Sequence, residues 1–244
     1  MIDNKVKDPE RVRIQEKIIE FEKAGIFDKD VEDDPETIPL EPDMIDYLKD
    51  GFKDKMYNKF AYYQAAKFFD RSVADKKVII KEVIGIENAM LDSGAIVTCN
   101  HFNPYDSFSV EKSMRDAGIL KKKKLYKVIR EGNYTNFPGF FGFIFKHCNT
   151  LPLSSVTETM KKFLKACEEL LSRGNYILIY PEQSMWWNYR KPKPLKPGAF
   201  SMAAKNKVPI LPVFITMEDS DILGDDGYPI QEYTIHFEKP IYPD

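Results

Sequence analysis

Residues 95–106 read Ala-Ile-Val-Thr-Cys-Asn-His-Phe-Asn-Pro-Tyr-Asp, and they decide the fold class of this chain. The apolar, β-branched run Ala95–Cys99 is typical of a buried strand. Pro104 fixes a turn after it, and Asp106 begins a helical stretch, where an acidic side chain stabilises free backbone amides. A strand that passes through a short polar loop into a helix predicts an α/β unit.

The same alternation of β-rich runs and helical stretches extends from Lys76 to the end of the chain. It predicts an α/β fold with a mostly parallel mixed sheet flanked by helices, in which ligands bind beyond the carboxyl ends of the strands. The predicted strands are Val78–Val83, Ala95–Cys99, Leu125–Ile129, Thr150–Leu153, Tyr176–Tyr180, Ile210–Ile215 and Tyr233–Phe237. The predicted helices cover about 106–116, 156–172 and 198–206.

Two regions are predicted: a charged, helical N-terminal region at 1–75 and an α/β domain at 76–244. Asp8-Pro9-Glu10 is a good helix start, and Gly25 supplies the end of that helix. The acidic, proline-bearing residues 27–43 predict a loop, and residues 43–50 a short helix.

A second N-terminal helix is predicted from Phe52 to about Asp70. Phe52, Met56, Phe60 and Tyr63 recur in it at helical spacing. This apolar face either packs on the following domain or lies on a membrane or an acyl chain.

Composition excludes several classes of protein. The 244 residues hold 36 Lys and Arg against 38 Asp and Glu, so the chain lacks the basic excess of a general nucleic-acid binder. Three cysteines, an odd number, fit a reducing cytoplasm rather than a disulfide framework. No apolar run approaches the ~18–20 residues of a membrane span, and the first residues do not resemble a signal peptide. We expect a cytoplasmic protein, peripheral to the inner face of the membrane.

Several cofactor and metal motifs are missing from the sequence. It has no G-x-G-x-x-G, no G-K-[ST], no C-x-x-C and no H-E-x-x-H. We therefore expect no bound cofactor and no metal.

His101 and Asp106 form a His-x-x-x-x-Asp pattern just past a predicted strand end. A loop turned by Pro104 can bring the carboxylate to one ring nitrogen, where it sets the tautomer and stabilises the imidazolium. The other nitrogen is then free to take a proton from a hydroxyl. The alternative is structural, with Asp106 as a helix cap and His101 as a buried, hydrogen-bonded ring.

Three further blocks follow this loop in order along the chain. They are Phe137–Phe145 with Asn149–Leu153, then Tyr180–Ser184 with Lys196–Phe200, then Val208–Val213. Together with Asn100–Asp106, they resemble the signatures of the lysophospholipid acyltransferase superfamily over about residues 76–217. That superfamily includes 1-acylglycerol-phosphate and glycerol-phosphate acyltransferases.

The resemblance implies an α/β fold like that of the glycerol-phosphate acyltransferases, and an O-acyltransferase of phospholipid biosynthesis. The enzyme would move a fatty acyl group from acyl-CoA or acyl-carrier protein to the hydroxyl of a lysophospholipid or glycerol-phosphate-like acceptor. His101 would be the general base and Asp106 would orient it. The implied substrate-binding residues are Glu182, Gln183, Ser184, Gly139, Lys146 and Arg190.

Two departures from the family pattern concern the acceptor's phosphate. Met185 stands where the third motif has an arginine, and Ser154 where the second motif of the glycerol-phosphate enzymes ends in one. Neither side chain can replace an arginine fork on a phosphate. The nearby cations that could substitute are Lys127, Arg130, Lys146 and Arg190. Two alternatives stay open: a non-catalytic lipid-binding relative, or a thioester hydrolase that uses the same His–Asp pair.

Three other stretches have more than one interpretation. Phe137–Phe145 packs in the core, or, because proline and glycine make it poor helix or strand, lines an acyl groove as irregular backbone. The aromatic and basic Trp186–Lys196 lies at a membrane interface or on a cofactor phosphate, or is a cationic loop with its aromatics packed inward. Lys121–Lys124 is a solvated turn, or it attracts anionic lipid or coenzyme phosphate.

Overall fold

A seven-stranded sheet forms the centre of the protein. The structure is a computed structural model, and it describes residues 6–33 and 36–243. The strands are β1 (Ile79–Ile84), β2 (Ala95–Thr98), β3 (Leu125–Ile129), β4 (Thr150–Pro152), β5 (Tyr176–Ile179), β6 (Ile210–Leu223) and β7 (Pro229–Phe237). Their order is β1-β7-β6-β2-β5-β3-β4, and every neighbouring pair is parallel except β6 and β7. The predicted mostly parallel mixed sheet is confirmed.

Helices cover both faces of this sheet. They are α1 (Pro9–Ala24), α2 (Phe52–Ala74), α3 (Asp106–Asp116), α4 (Glu131–Thr135), α5 (Gly139–His147), α6 (Thr157–Ser172) and α7 (Gly198–Asn206). Alternate residues of β2 point to opposite faces. Val97 therefore joins a core with α2 and α3, whereas Ile96 joins a second core with α6 and α7. The chain buries two hydrophobic layers on one sheet.

Two local expectations were wrong. Residues 43–50 form turns rather than a helix. Residues 139–147 form the regular helix α5 instead of irregular backbone. Pro138 lies just before its first turn, where a missing N–H costs nothing. Gly142 is needed because a Cβ there would lie 1.9 Å from the carbonyl oxygen of Phe137.

The N-terminal residues pack onto the aromatic part of the Trp186–Lys196 stretch. Asp8 caps α1 by accepting a hydrogen bond from the backbone N–H of Glu10 (2.7 Å). Ile14 and Ile18 of α1 then bury against Trp186 and Trp187. The two tryptophans therefore face inward, as the second interpretation of that stretch expected, and not toward a membrane interface.

Within the described residues, every helix falls short of the length and apolar character that crossing a membrane requires.

Candidate active site

The loop after β2 leaves the sheet in a fixed direction. Asn100 pairs with the backbone of Ile215 in β6: its Nδ2 donates to the carbonyl (3.0 Å), and its Oδ1 accepts from the N–H (2.8 Å). The amide is buried. Its two bonds replace the backbone hydrogen bonds between β2 and β6 at the point where β2 ends. His101 therefore emerges at the carboxyl edge of the parallel strands.

His101 and Asp106 are joined by a hydrogen bond. Nδ1 of His101 lies 2.7 Å from Oδ2 of Asp106, the first residue of α3. The same oxygen accepts from the backbone N–H of Phe102 (3.1 Å), and the carboxylate is 1 % exposed. The His101 side chain is 23 % exposed, and its Nε2 has no partner among the described residues. The arrangement leaves one basic nitrogen open to a substrate, with a buried carboxylate behind the ring.

Tyr180 completes this arrangement, and the sequence analysis missed its role. Its ring stacks on that of His101, with centroids 3.8 Å apart and planes 13° apart. Its hydroxyl donates to Oδ1 of Asp106. Burial, with the charge of Asp106 beside it, raises the pKa of Tyr180 well above its usual value, so the phenol stays a donor. The available signal was its place directly after β5, the neighbour of β2.

Glu182 braces the backbone of the same loop. Its buried carboxylate accepts from the N–H of His101 (3.2 Å) through Oε2 and from the N–H of Lys193 (3.2 Å) through Oε1. The ammonium of Lys193 lies 3.5 Å from Oε2 and donates to the carbonyl oxygen of Ser184 (2.5 Å). Burial lowers the pKa of Lys193, although the Glu182 carboxylate opposes that shift. Sequence reasoning considered Lys193 only as one of the cations of Trp186–Lys196, because its contacts with Glu182 and Ser184 depend on how that stretch folds back.

The remaining residues of the third block differ in accessibility. Ser184 is fully buried, and its hydroxyl donates to the carbonyl oxygen of Phe27 (2.6 Å). Gln183 is exposed, and its backbone has a φ of +64°. The structure thus brings Glu182 directly onto the His101 loop and turns the hydroxyl of Ser184 toward the N-terminal segment.

The other predicted substrate residues are spread over the molecule. Gly139 is exposed at the start of α5, on the His101 side of the sheet. Lys146 lies at the opposite end of that helix, close to where β4 begins. Arg190 forms an ion pair with Asp219 and donates to Gln231 (2.8 Å). The structure therefore does not gather Lys146 and Arg190 with His101.

The family model described as Acyltransferase matches residues 80–216, which include His101, Asp106 and Glu182. The chain belongs to this acyltransferase family. The family resemblance of the four sequence blocks is thereby confirmed.

In a comparison with solved structures, this acyltransferase is similar to the 1-acyl-sn-glycerophosphate (LPA) acyltransferase PlsC of Thermotoga maritima. The two chains share 21% sequence identity, with a TM-score of 0.49, over 78% of this chain and 72% of the other. A comparison with curated protein sequences gave no match.

Ser154 and Met185, the two positions that depart from the family pattern, both make contacts within the acyltransferase. The hydroxyl of Ser154 donates to Leu40 (3.0 Å) and to Glu131 (3.0 Å). The backbone N–H of Met185 donates to Asp30 (2.7 Å). N-terminal residues thus contact both positions from which an arginine is missing.

An aromatic surface lies beside the His101 loop of the acyltransferase. The ring of Phe68 in α2 contacts Tyr105 (6.5 Å between centroids), Phe140 (5.7 Å) and Phe141 (5.5 Å). Phe140 and Phe141 are exposed.

Proposed function

We propose that this acyltransferase moves a fatty acyl group from acyl-CoA or acyl-carrier protein to the hydroxyl of a lysophospholipid or glycerol-phosphate-like acceptor. One observation carries the proposal: Nδ1 of His101 is held 2.7 Å from the buried Asp106 carboxylate, while Nε2 is open. An imidazole so oriented is a general base for a hydroxyl.

In the proposed reaction, Nε2 of His101 takes the acceptor's hydroxyl proton as the oxygen attacks the thioester carbonyl. A C–O bond forms, and the tetrahedral intermediate then collapses with cleavage of the C–S bond. The imidazolium returns the proton to the leaving thiolate, which gives an ester and a free thiol. Asp106 stabilises the imidazolium while it exists, and no acyl-enzyme is formed.

The aromatic surface formed by Phe68, Tyr105, Phe140 and Phe141 supports an acyl substrate. It lies next to the loop that holds His101. Covering exposed aromatic side chains with an acyl chain removes apolar surface from water and is therefore favourable. We assign the acyl chain to this surface.

Arg130 is the cation best placed for the acceptor's phosphate. It directly follows β3, whose carboxyl end lies at the same edge of the sheet as His101. Its ion pair with Asp30 (2.5 Å) lies close to Met185. Arg130 offers the planar fork that suits a phosphate. Lys127, by contrast, lies within β3 and pairs with Glu111 (2.5 Å).

The acyltransferase is further proposed to work on the inner face of the membrane as a peripheral protein. Phe52, Met56, Phe60 and Tyr63 of α2 are between 54% and 79% exposed and lie in one stripe along the helix. An exposed apolar stripe on a helix with lysines beside it suits a lipid surface.

The test is acyl transfer by purified protein, with labelled acyl-CoA or acyl-carrier protein and a panel of lysolipids and glycerol 3-phosphate. His101→Ala should lower turnover by at least ~100-fold, the size of a general-base contribution. His236→Ala, which changes a histidine on β7, is the matched control and should retain activity.

Other outcomes decide between the alternatives. Turnover unchanged in His101→Ala would contradict the role of His101. Free fatty acid without an acylated acceptor would identify a thioester hydrolase. Acyl-chain binding without any turnover would identify a non-catalytic relative.

A further inference from the structure

A basic cavity lies between α2 and the turn before β3. Its volume is about 290 Å³. The residues that line it include Lys55, Lys59, Lys123, Lys124, Leu125 and Asn149. Among these described residues there are four lysines and no carboxylate, so the lining has a strong positive charge.

This cavity is separate from the His101 site. Leu125 is the first residue of β3, and Asn149 directly precedes β4. Strands β2, β5, β3 and β4 are all parallel, so these residues lie at the edge where the strands begin. His101 follows the end of β2, at the opposite edge of the sheet.

Two buried asparagines form the floor of the cavity. Nδ2 of Asn58 donates to Oδ1 of Asn149 (3.0 Å), and Oδ1 of Asn58 accepts from the ammonium of Lys124 (3.3 Å). Asn149 is only 7% exposed, and within the described part of the chain its amide nitrogen has no hydrogen-bond partner. No buried side-chain polar atom of the described residues lacks a hydrogen-bond partner, so this amide nitrogen is accessible from the cavity and can donate to an oxygen-rich ligand.

The two lysines at the rim of the cavity make no direct ion pair with an acid of the described residues. Lys55 and Lys59 are exposed, and among the described residues neither has an acidic partner within ion-pair distance. At longer range, Asp50 interacts electrostatically with Lys55 and Lys124, and Asp92 with Lys123. Asp50 pairs with Arg173 (2.9 Å), and Glu111 pairs with Lys127.

We propose that this cavity binds the phosphate of an anionic phospholipid headgroup. The ammonium groups of Lys55 and Lys59, which make no ion pair with the described residues, and the accessible amide donor of Asn149 match phosphate oxygens. A volume of about 290 Å³ leaves room for a glycerophosphate, because about 10–15 Å³ of such space already holds one water.

The neighbouring apolar surface indicates that the bound phosphate belongs to a lipid. Three residues of the stripe directly follow residues that line the cavity: Met56 follows Lys55, Phe60 follows Lys59 and Tyr63 follows Tyr62. The cavity and the apolar stripe therefore occupy adjacent faces of α2. A lipid whose phosphate entered the cavity would have its acyl chains beside that stripe. The cavity is a second phosphate site and does not depend on the chemistry of His101.

The test compares two double variants that lose the same charge. Lys55→Gln/Lys59→Gln alters the rim of the cavity. Lys165→Gln/Lys205→Gln alters exposed lysines of α6 and α7, on the other face of the sheet. Binding is measured by co-sedimentation with phosphatidylcholine vesicles, with and without phosphatidic acid.

The cavity variant should lose about 10-fold in binding to vesicles that contain phosphatidic acid, and the control variant much less. His101→Ala should bind like the parent protein, which separates this proposal from the proposed reaction. Asn149→Asp, which adds a negative charge at the floor, should lose the same preference for phosphatidic acid, with its fold checked by circular dichroism.

Equal losses in the two double variants, or equal binding to both kinds of vesicle, would overturn the proposal. A second experiment uses soluble ligands and measures the thermal stability of the parent protein and the variants with inorganic phosphate or glycerol 3-phosphate. A stabilisation that only the cavity variant loses, without an effect on vesicles, would assign the cavity to a soluble phosphate and overturn the lipid assignment.

Discussion

Tyr180 contacts both members of the His–Asp pair through different parts of its side chain. Its ring stacks on His101 and its hydroxyl donates to Asp106. Tyr180→Phe keeps the ring and removes a hydrogen bond to a charged group, so kcat should fall by about 10-fold or more, with little change in KM.

Initial rates over a range of acceptor concentrations measure this split. Tyr242→Phe changes an exposed tyrosine near the end of the chain and serves as the control. If kcat is unchanged in Tyr180→Phe, the phenol does not position the pair.

Gln183 has a backbone conformation that favours glycine, the residue at this place in the family's third motif. Its φ of +64° is unfavourable for a side chain with a Cβ. Gln183→Gly should therefore raise the free energy of unfolding by about 1 kcal/mol. Urea denaturation measures the change. Gln183→Ala keeps the Cβ and should give no such gain, and equal stability of the Gly and Ala variants would contradict the interpretation.

At the scale of elements, Glu131 ties the segment before α2 to the edge of the sheet. It begins α4 and accepts hydrogen bonds from the backbone N–H groups of Leu40 (2.7 Å) and Ser155 (3.1 Å) and from the Ser154 hydroxyl (3.0 Å). Burial alone would raise the pKa of Glu131, but these donors stabilise the carboxylate and bring the pKa below its usual value. The folded state therefore favours the charged form.

A lowered pKa in the folded state fixes the sign of the pH dependence. The stabilisation is complete above the ordinary glutamate value of about 4.3 and disappears as the pH falls through the folded-state pKa. Glu131→Gln should lower the free energy of unfolding by about 2 kcal/mol at neutral pH and by less in acid. Denaturation at several pH values measures this, with the exposed Glu168→Gln as control. A difference that stays constant with pH would refute the assignment.

At the scale of the whole molecule, the exposed stripe on α2 is the surface proposed to bind a lipid membrane. Phe60→Ser removes a large apolar group and should weaken binding to phosphatidylcholine vesicles by about 10-fold or more. Ile19→Ser, at a similarly exposed position on α1, should bind like the parent protein. Because Phe60 also contacts Phe143 (6.0 Å), thermal denaturation should accompany the binding assay. Equal binding by both variants would rule out this face.

Local sequence determined most of the fold. Strand β3 was predicted to the residue, and α3, α6 and α7 within about a residue, because hydrophobic periodicity and turn residues act over short distances. Strands β6 and β7 were predicted too short, β6 at its C-terminal end and β7 at its N-terminal end. The missing residues are those by which the two strands pair with each other in an antiparallel ribbon. The reach of Asp106 to His101 was also predictable, since Asp106 begins α3 directly after the loop that holds His101.

Tertiary structure alone decided the partners of that loop. Tyr180 meets Asp106 because β5 lies next to β2, and the basic cavity exists because α2 packs beside the start of β3. Such contacts join residues far apart in the chain, and they depend on strand order and helix placement, which no local pattern encodes. The sequence by itself therefore determined the elements and the His–Asp pair, whereas the packing of distant elements determined what surrounds that pair.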